Sequence, residues 1–227
     1  MQAPPELPPQ VYLVDKPPGV SSRKAALQLA TQLGEQTAGH AGTLDPLAEG
    51  LLIVGVGRGT KFLRQFVDLP KTYEALVHLG RSTTTDDLEG AVEEVADACF
   101  LSRERVEKEL QAMVGVLSLP VPRWSAVRVR GKRLYRLARK DIQVDPPVRL
   151  MEVQEARLLF FAESQEDAPL CALHALIRWK VGSGTYIRSL AHEFGRRLGV
   201  PASLCGLRRT AIGPFLLEDP SVWRIPA

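Results

Sequence analysis

Apolar and polar positions alternate along Lys71–Leu79, KTYEALVHL, which sets Tyr73, Ala75, Val77 and Leu79 on one face of a strand. The same alternation runs from Cys171 to Val181 and predicts a second half-buried strand. Val11–Val14 reads as a short strand closed by the turn Asp15-Lys16-Pro17-Pro18-Gly19, and the unbroken apolar run Leu51–Val56 reads as a buried strand. Helical spacing appears three times. It predicts a serine-capped helix over about Ser22–Leu33, with Ala26, Leu29 and Leu33 on one face and Gly34 as its stop. A second runs over Ser102–Val114, with Val106, Leu110, Met113 and Val114 on its apolar side, up to Gly115. A third covers Tyr186–Leu198, with Thr185 as cap and Gly199 and Pro201 as terminators. The polar run Arg81–Gly90 reads as an exposed loop. Strands and helices in mixed order predict a mixed α/β (α+β) sheet protein, not a bundle or a sandwich.

Composition narrows the class. The chain has 227 residues, 45% hydrophobic and 24% charged, with no apolar stretch long enough to span a membrane. Residues 1–10 are proline-rich, lack the basic start and apolar run of a secretory signal, and read as a tail. Cys99, Cys171 and Cys205 are far apart and without metal-ligand spacing, so neither a disulfide framework nor a zinc site is expected and a cytoplasmic setting fits.

Net charge is only +3, but it is unevenly distributed. Between Arg123 and Lys140 stand eight basic residues and no acidic one; taking these eight from the 29 basic residues of the chain leaves 21 against 26 acidic. A cationic stripe on an otherwise acidic body is the footprint of a surface for a phosphate backbone. Trp124 and Tyr135 interleave it with aromatic surface.

Two familiar motifs fail. In Gly55-Val56-Gly57-Arg58-Gly59-Thr60-Lys61 a threonine occupies the third glycine of a dinucleotide loop, and the Walker spacing is absent. His192-Glu193 opens like a zinc-protease helix, but Arg196 stands in place of the second histidine. What remains is Asp45, in His40-Ala41-Gly42-Thr43-Leu44-Asp45-Pro46-Leu47-Ala48-Glu49-Gly50. Asp-Pro is a turn former; equally, glycines on both sides let a ligand approach a carboxylate held on a restrained loop. An aspartate acts as nucleophile or base when a cation keeps it ionised, and Arg188, at the start of the third helix, is the candidate cation.

Six stretches, in order, resemble the TruB-type tRNA pseudouridine synthases: DKPPGVSS (Asp15–Ser22), GHAGTLDPLAEGLL (Gly39–Leu52), KTYEALVHLG (Lys71–Gly80), WSAVRVRGKRLYRLAR (Trp124–Arg139), GSGTYIRSLAHEFGRRLG (Gly182–Gly199) and LRRTAIGPF (Leu207–Phe215). The resemblance implies the pseudouridine synthase fold, a largely antiparallel central sheet with flanking helices and a central catalytic cleft, over residues 11–215. It implies conversion of the tRNA T-loop uridine, at the conventional position 55, to pseudouridine, with no cofactor and no metal. The substrate is then tRNA through its T-arm, and the enzyme a cytoplasmic monomer needing no protein partner.

Carried over by position, Asp45 is the catalytic aspartate, Tyr73 the tyrosine that stacks on the target base, and Arg188 the arginine that pairs with the aspartate. Tyr186 lines the same pocket and His40 supports the flipped-out nucleotides. Arg128, Lys132, Arg133 and Arg136 would follow the tRNA backbone, with Lys16 and Lys61 as further phosphate contacts. Extraction of a base from its stack needs an aromatic surface to receive it, which agrees with Tyr73. Trp124 and Val127-Arg128 depart from the family's usual tyrosine and Leu-Lys. Residues 216–227 read as a short tail with no room for the C-terminal PUA-type RNA-binding domain of many relatives. Rival readings are a pseudouridine synthase of another RNA and a tRNA-binding chaperone without catalysis.

Overall fold

The computed structural model describes residues 5–163 and 172–225. Expectations for residues 1–4, for Cys171 and for residues 226–227 lie outside the described residues. In chain order the elements begin with β1 (Val11–Lys16), α1 (Ser22–Gln32), β2 (Ala38–Ala41), β3 (Glu49–Val56), a 3-10 segment (Gly57–Phe62) and α2 (Arg64–Val67). There follow β4 (Lys71–Leu79), β5 (Arg81–Thr83), β6 (Val92–Val95), α3 (Arg103–Gln111), β7 (Gly115–Pro120), β8 (Arg128–Val129), β9 (Lys132–Arg133) and α4 (Leu134–Ala138). The chain ends with β10 (Val148–Glu163), β11 (Leu173–Val181), α5 (Ile187–Leu198), β12 (Ala202–Ile212), β13 (Phe215–Leu216) and β14 (Trp223–Arg224). They form two compact units, Met1–Glu74 with Gly206–Ala227, and Ala75–Cys205. The divisions fall inside β4 and β12, so each strand gives residues to both.

In the first unit β3 pairs antiparallel with β1 and β2, and parallel with β12 through Arg208↔Glu49 and Arg209↔Gly50. Its unbroken apolar run is explained by burial on both faces. Leu52, Val54 and Val56 pack with Ala25, Ala26, Leu29 and Ala30 of α1, while Leu51 and Ile53 pack with Leu63, Phe66, Ile212 and Phe215. Ser21 caps α1, its side chain accepting from the Lys24 amide at 3.2 Å. Truncating the fully buried Leu29 to alanine costs about 2–5 kcal/mol.

In the second unit the strand order is β4, β11, β10, β7, with the β10–β11 and β10–β7 pairs antiparallel. α5 packs against α3 and β7 with Leu190, Ala191, Phe194 and Leu198 buried, and ends at Gly199 in the left-handed conformation (φ 80°). Four expectations are corrected here. Thr185 does not cap α5: Tyr186 holds the cap position without a side-chain bond, and the Thr185 hydroxyl donates to the Glu152 carbonyl at 3.4 Å. α3 stops at Gln111, and Val114 is exposed because the chain turns into β7. Arg81–Gly90 is no exposed loop, for Ser82, Thr83 and Asp87 are buried. Cys99 is disulfide-bonded, against the reading of its spacing, while the Cys205 thiol donates to the Leu76 carbonyl at 3.4 Å.

Candidate active site

Asp45 lies in the loop between β2 and β3, and its neighbours on both sides are tied down. The buried Ser22 hydroxyl, in the first turn of α1, donates to the Leu44 carbonyl at 2.9 Å and accepts from the Leu44 amide at 2.8 Å. The Pro46 carbonyl accepts from the Gly19 amide at 2.8 Å and from Lys16 Nζ at 3.3 Å. Gly42, at φ 88°, gives the loop its left-handed entry. The DKPPGVSS and GTLDP stretches thus act together: the first supplies the donors that fix the backbone around the aspartate of the second.

Lys16 is 0% exposed, with its ammonium also donating to the carbonyls of Pro17 at 2.9 Å and Val20 at 2.7 Å. This corrects its expected phosphate contact, because a charge enclosed by three carbonyls cannot reach a polyanion. Burial first, and then the charge of Arg209, lower its pKa from 10.5 to about 8 against the opposing charges of Asp45 and Glu49. Lys71, on β4, is likewise held at about 8 by burial and by Arg209, with Nζ donating to the carbonyls of Val67 at 2.5 Å and Leu69 at 2.6 Å.

Tyr73 points into the same region, 8% exposed, and its phenol oxygen accepts from Arg209 Nη1 at 3.4 Å. Arg209 was not singled out from the sequence. It is 1% exposed, its guanidinium carbon stands 5.9 Å from the Tyr73 ring centroid, and Nε and Nη2 donate to the carbonyls of Leu51 at 2.7 Å and Gly42 at 3.1 Å. His40, on β2, is half-buried, and burial followed by the charges of Arg209 and Arg23 lowers its pKa and favours the neutral imidazole. Lys61 is exposed at the end of the 3-10 segment, open to a phosphate.

The second unit holds the other expected residues. Arg188, in the first turn of α5, is 4% exposed; Nη1 donates to the Thr85 carbonyl at 3.0 Å and Nη2 to that of Trp124 at 3.1 Å. Nη1 also stands 3.7 Å from the Asp87 carboxylate. Asp87 accepts in turn from Thr85 Oγ1 at 2.5 Å and from the Glu89 amide at 3.0 Å, so the misread loop is a built support for Arg188. Tyr186, half-buried, precedes it at the helix cap.

The basic stretch folds as the β8–β9 hairpin and α4 around a groove of about 430 Å³ lined by Arg128, Lys132, Arg133, Arg136 and Lys140. Tyr135 stands under the guanidinium carbons of Arg133, Arg136 and Arg139 at 6.0, 6.0 and 5.6 Å, and hydrogen bonds from Arg136 and Arg133 lower its pKa. All four expected backbone contacts line this one groove.

The model of the TruB family pseudouridylate synthases, N-terminal domain, matches residues 31–187. The chain belongs to this family. Among TruB relatives, "tRNA pseudouridine synthase B" of Corynebacterium efficiens is 41% identical over 209 residues, 92% of this chain and 69% of that protein. The protein of the same name from Bacillus cytotoxicus is 41% identical over 212 residues, covering 92% and 67%. In the solved "Cbf5-Nop10-Gar1 Complex", one chain superposes with a TM-score of 0.70 at 28% identity. That match covers 95% of this chain but only 52% of the solved one, so this chain spans about half its length. The pseudouridine synthase fold expected from the sequence is therefore the fold observed. Among the described residues no helix is long and apolar enough to cross a membrane.

Proposed function

We propose that this chain isomerises the T-loop uridine of tRNA to pseudouridine, with Asp45, Tyr73 and Arg188 as its catalytic residues. The observation that carries the reading is the Asp45 loop, in which the carboxylate-bearing residue is pinned by Ser22 on one side and by Gly19 and Lys16 on the other. Such bracing suits a group that must meet one atom of a bound nucleotide and does little for a simple turn. The 41% identity to proteins named tRNA pseudouridine synthase B supports the same substrate.

In the reaction the bond from ribose C1′ to uracil N1 breaks, the base turns while bound, and C1′ rejoins at C5. The proton lost from C5 is balanced by one gained at N1. Asp45 is the nucleophile, toward ribose or base, and Tyr73 offers its ring to the extracted uracil. Arg188 keeps the aspartate ionised, His40 and Tyr186 support the flipped nucleotide, and Lys61 with the 128–136 groove holds the phosphates of the T-arm. The enzyme acts as a cytoplasmic monomer.

Tritium release from uridine C5 in an unmodified tRNA transcript tests this. Release by the wild type must vanish with Asp45→Asn and with a transcript carrying cytidine at the T-loop position, while binding persists. Binding without release by the wild type would leave a tRNA-binding module instead.

A further inference from the structure

Arg209 lies in Leu207–Phe215, the stretch of the resemblance that carries no assigned role. Burying a guanidinium is costly unless its N–H groups are bonded, and here every acceptor belongs to the neighbourhood of the site. Gly42 and Leu51 bracket the Asp45 loop, and their carbonyls receive Nη2 and Nε. Tyr73 Oη receives Nη1. Since the phenol oxygen accepts from Arg209, its own hydrogen is turned away from the guanidinium and free to donate elsewhere. The guanidinium is a rigid planar fork, so three acceptors engaged at once are fixed relative to one another. A lysine offers no such fork.

Packing alone does not account for this choice. The charge of Arg209 bears on Lys16, Lys71 and His40, each of which it disfavours in the protonated form. An apolar side chain would fill the space without that opposition. We propose that Arg209 is a positioning residue for the reaction, holding the Tyr73 phenol and both ends of the Asp45 loop in one arrangement without touching substrate itself. The inference rests on the roles given above to Asp45 and Tyr73.

The test is a double-mutant cycle of Arg209→Lys and Tyr73→Phe, with Arg209→Gln alongside. Single-turnover conversion at saturating enzyme, tRNA affinity by filter binding and thermal unfolding are measured for each. Arg209→Lys is expected to slow conversion about 10²-fold, the scale of a small misplacement of reacting groups, with tRNA affinity unchanged. In the Tyr73→Phe background the same substitution should cost only about tenfold, because part of its action runs through the missing oxygen. Equal losses in both backgrounds, a loss confined to affinity, or an unimpaired Arg209→Lys enzyme would overturn the inference. So would failure of both Arg209 variants to fold, which would assign the residue to the fold alone. A wild type that converts nothing defeats the functional reading and this inference together; an active wild type with any of the preceding results defeats only this inference.

Discussion

Asp87 and Arg188 form an ion pair at 3.7 Å with 4% and 5% of their side chains exposed. Removing one member of such a buried pair is expensive, because the other keeps its desolvated charge. Asp87→Ala is expected to destabilise the protein by about 3–5 kcal/mol, a fall in Tm of roughly 10 °C. Asp87→Asn, which still accepts from Thr85 and Glu89, should lose less. Thermal unfolding of the two variants checks this; an unchanged Tm for Asp87→Ala would mean that the pair contributes nothing to stability.

Lys16 releases its proton at about 8 in the folded chain and at 10.5 when unfolded. Above pH 8 the native state thus holds fewer protons at this site than the unfolded state, and stability rises with pH up to about 10.5. The stability of wild type relative to Lys16→Met should accordingly improve as pH rises from 8. Denaturant midpoints of both proteins between pH 7 and 10 give the comparison. A relative decline over that range would show that the charged form of Lys16 is the one the fold requires.

His192 Nδ1 stands 3.5 Å from Asp86, and the hydrogen bond to Asp86 is the main cause raising its pKa, assisted by the charges of Asp86, Glu193 and Glu93 against partial burial. A raised folded pKa adds stability that is complete below 6.5 and disappears as pH climbs through the folded value. Asp86 sits at φ 60°, a conformation asparagine also tolerates, so Asp86→Asn tests the charge with little backbone strain. An NMR titration should place the His192 midpoint above 6.5 in wild type and lower in the variant. Identical midpoints would dismiss Asp86 as its partner.

The groove lined by Lys132, Arg133 and Arg136 should act through phosphates. Each alanine substitution there is expected to weaken tRNA binding and to reduce the slope of log affinity against log salt by about 0.7–0.9. Conversion at saturating tRNA should hold. A variant that loses rate at saturation while keeping its salt slope would move that residue from the backbone to the reacting nucleotide.

Much of this was legible in the chain. The bounds of β4 follow directly from alternation, since its inward face is the buried face from Lys71 to Leu79. The long β10 escaped because its register shifts between Val153 and Glu155 and again between Leu158 and Phe160, which breaks the period of two. The support loop around Asp87 escaped for another reason: its polar groups are buried because they satisfy one another, and no hydropathy pattern reports that. Lys16 carried the right motif but the wrong role, because sequence does not show that three carbonyls enclose its charge. Arg209 meets acceptors 136, 158 and 167 positions away, two of them backbone carbonyls that leave no mark in the side-chain sequence.

Gly50, at φ 100°, sits against Arg209 so closely that a Cβ there would fall on the Arg209 carbonyl, where β3 and β12 run parallel. This seam joins two strands that lie far apart along the chain, Glu49–Val56 and Ala202–Ile212. α1, β1 and β3 pack together from neighbouring stretches of chain, yet the Tyr73 phenol has no Arg209 to meet until β12 is also in place. Assembly of the Tyr73–Arg209 contact is therefore a non-local step, whose loop-closure entropy must be met before the contact repays it.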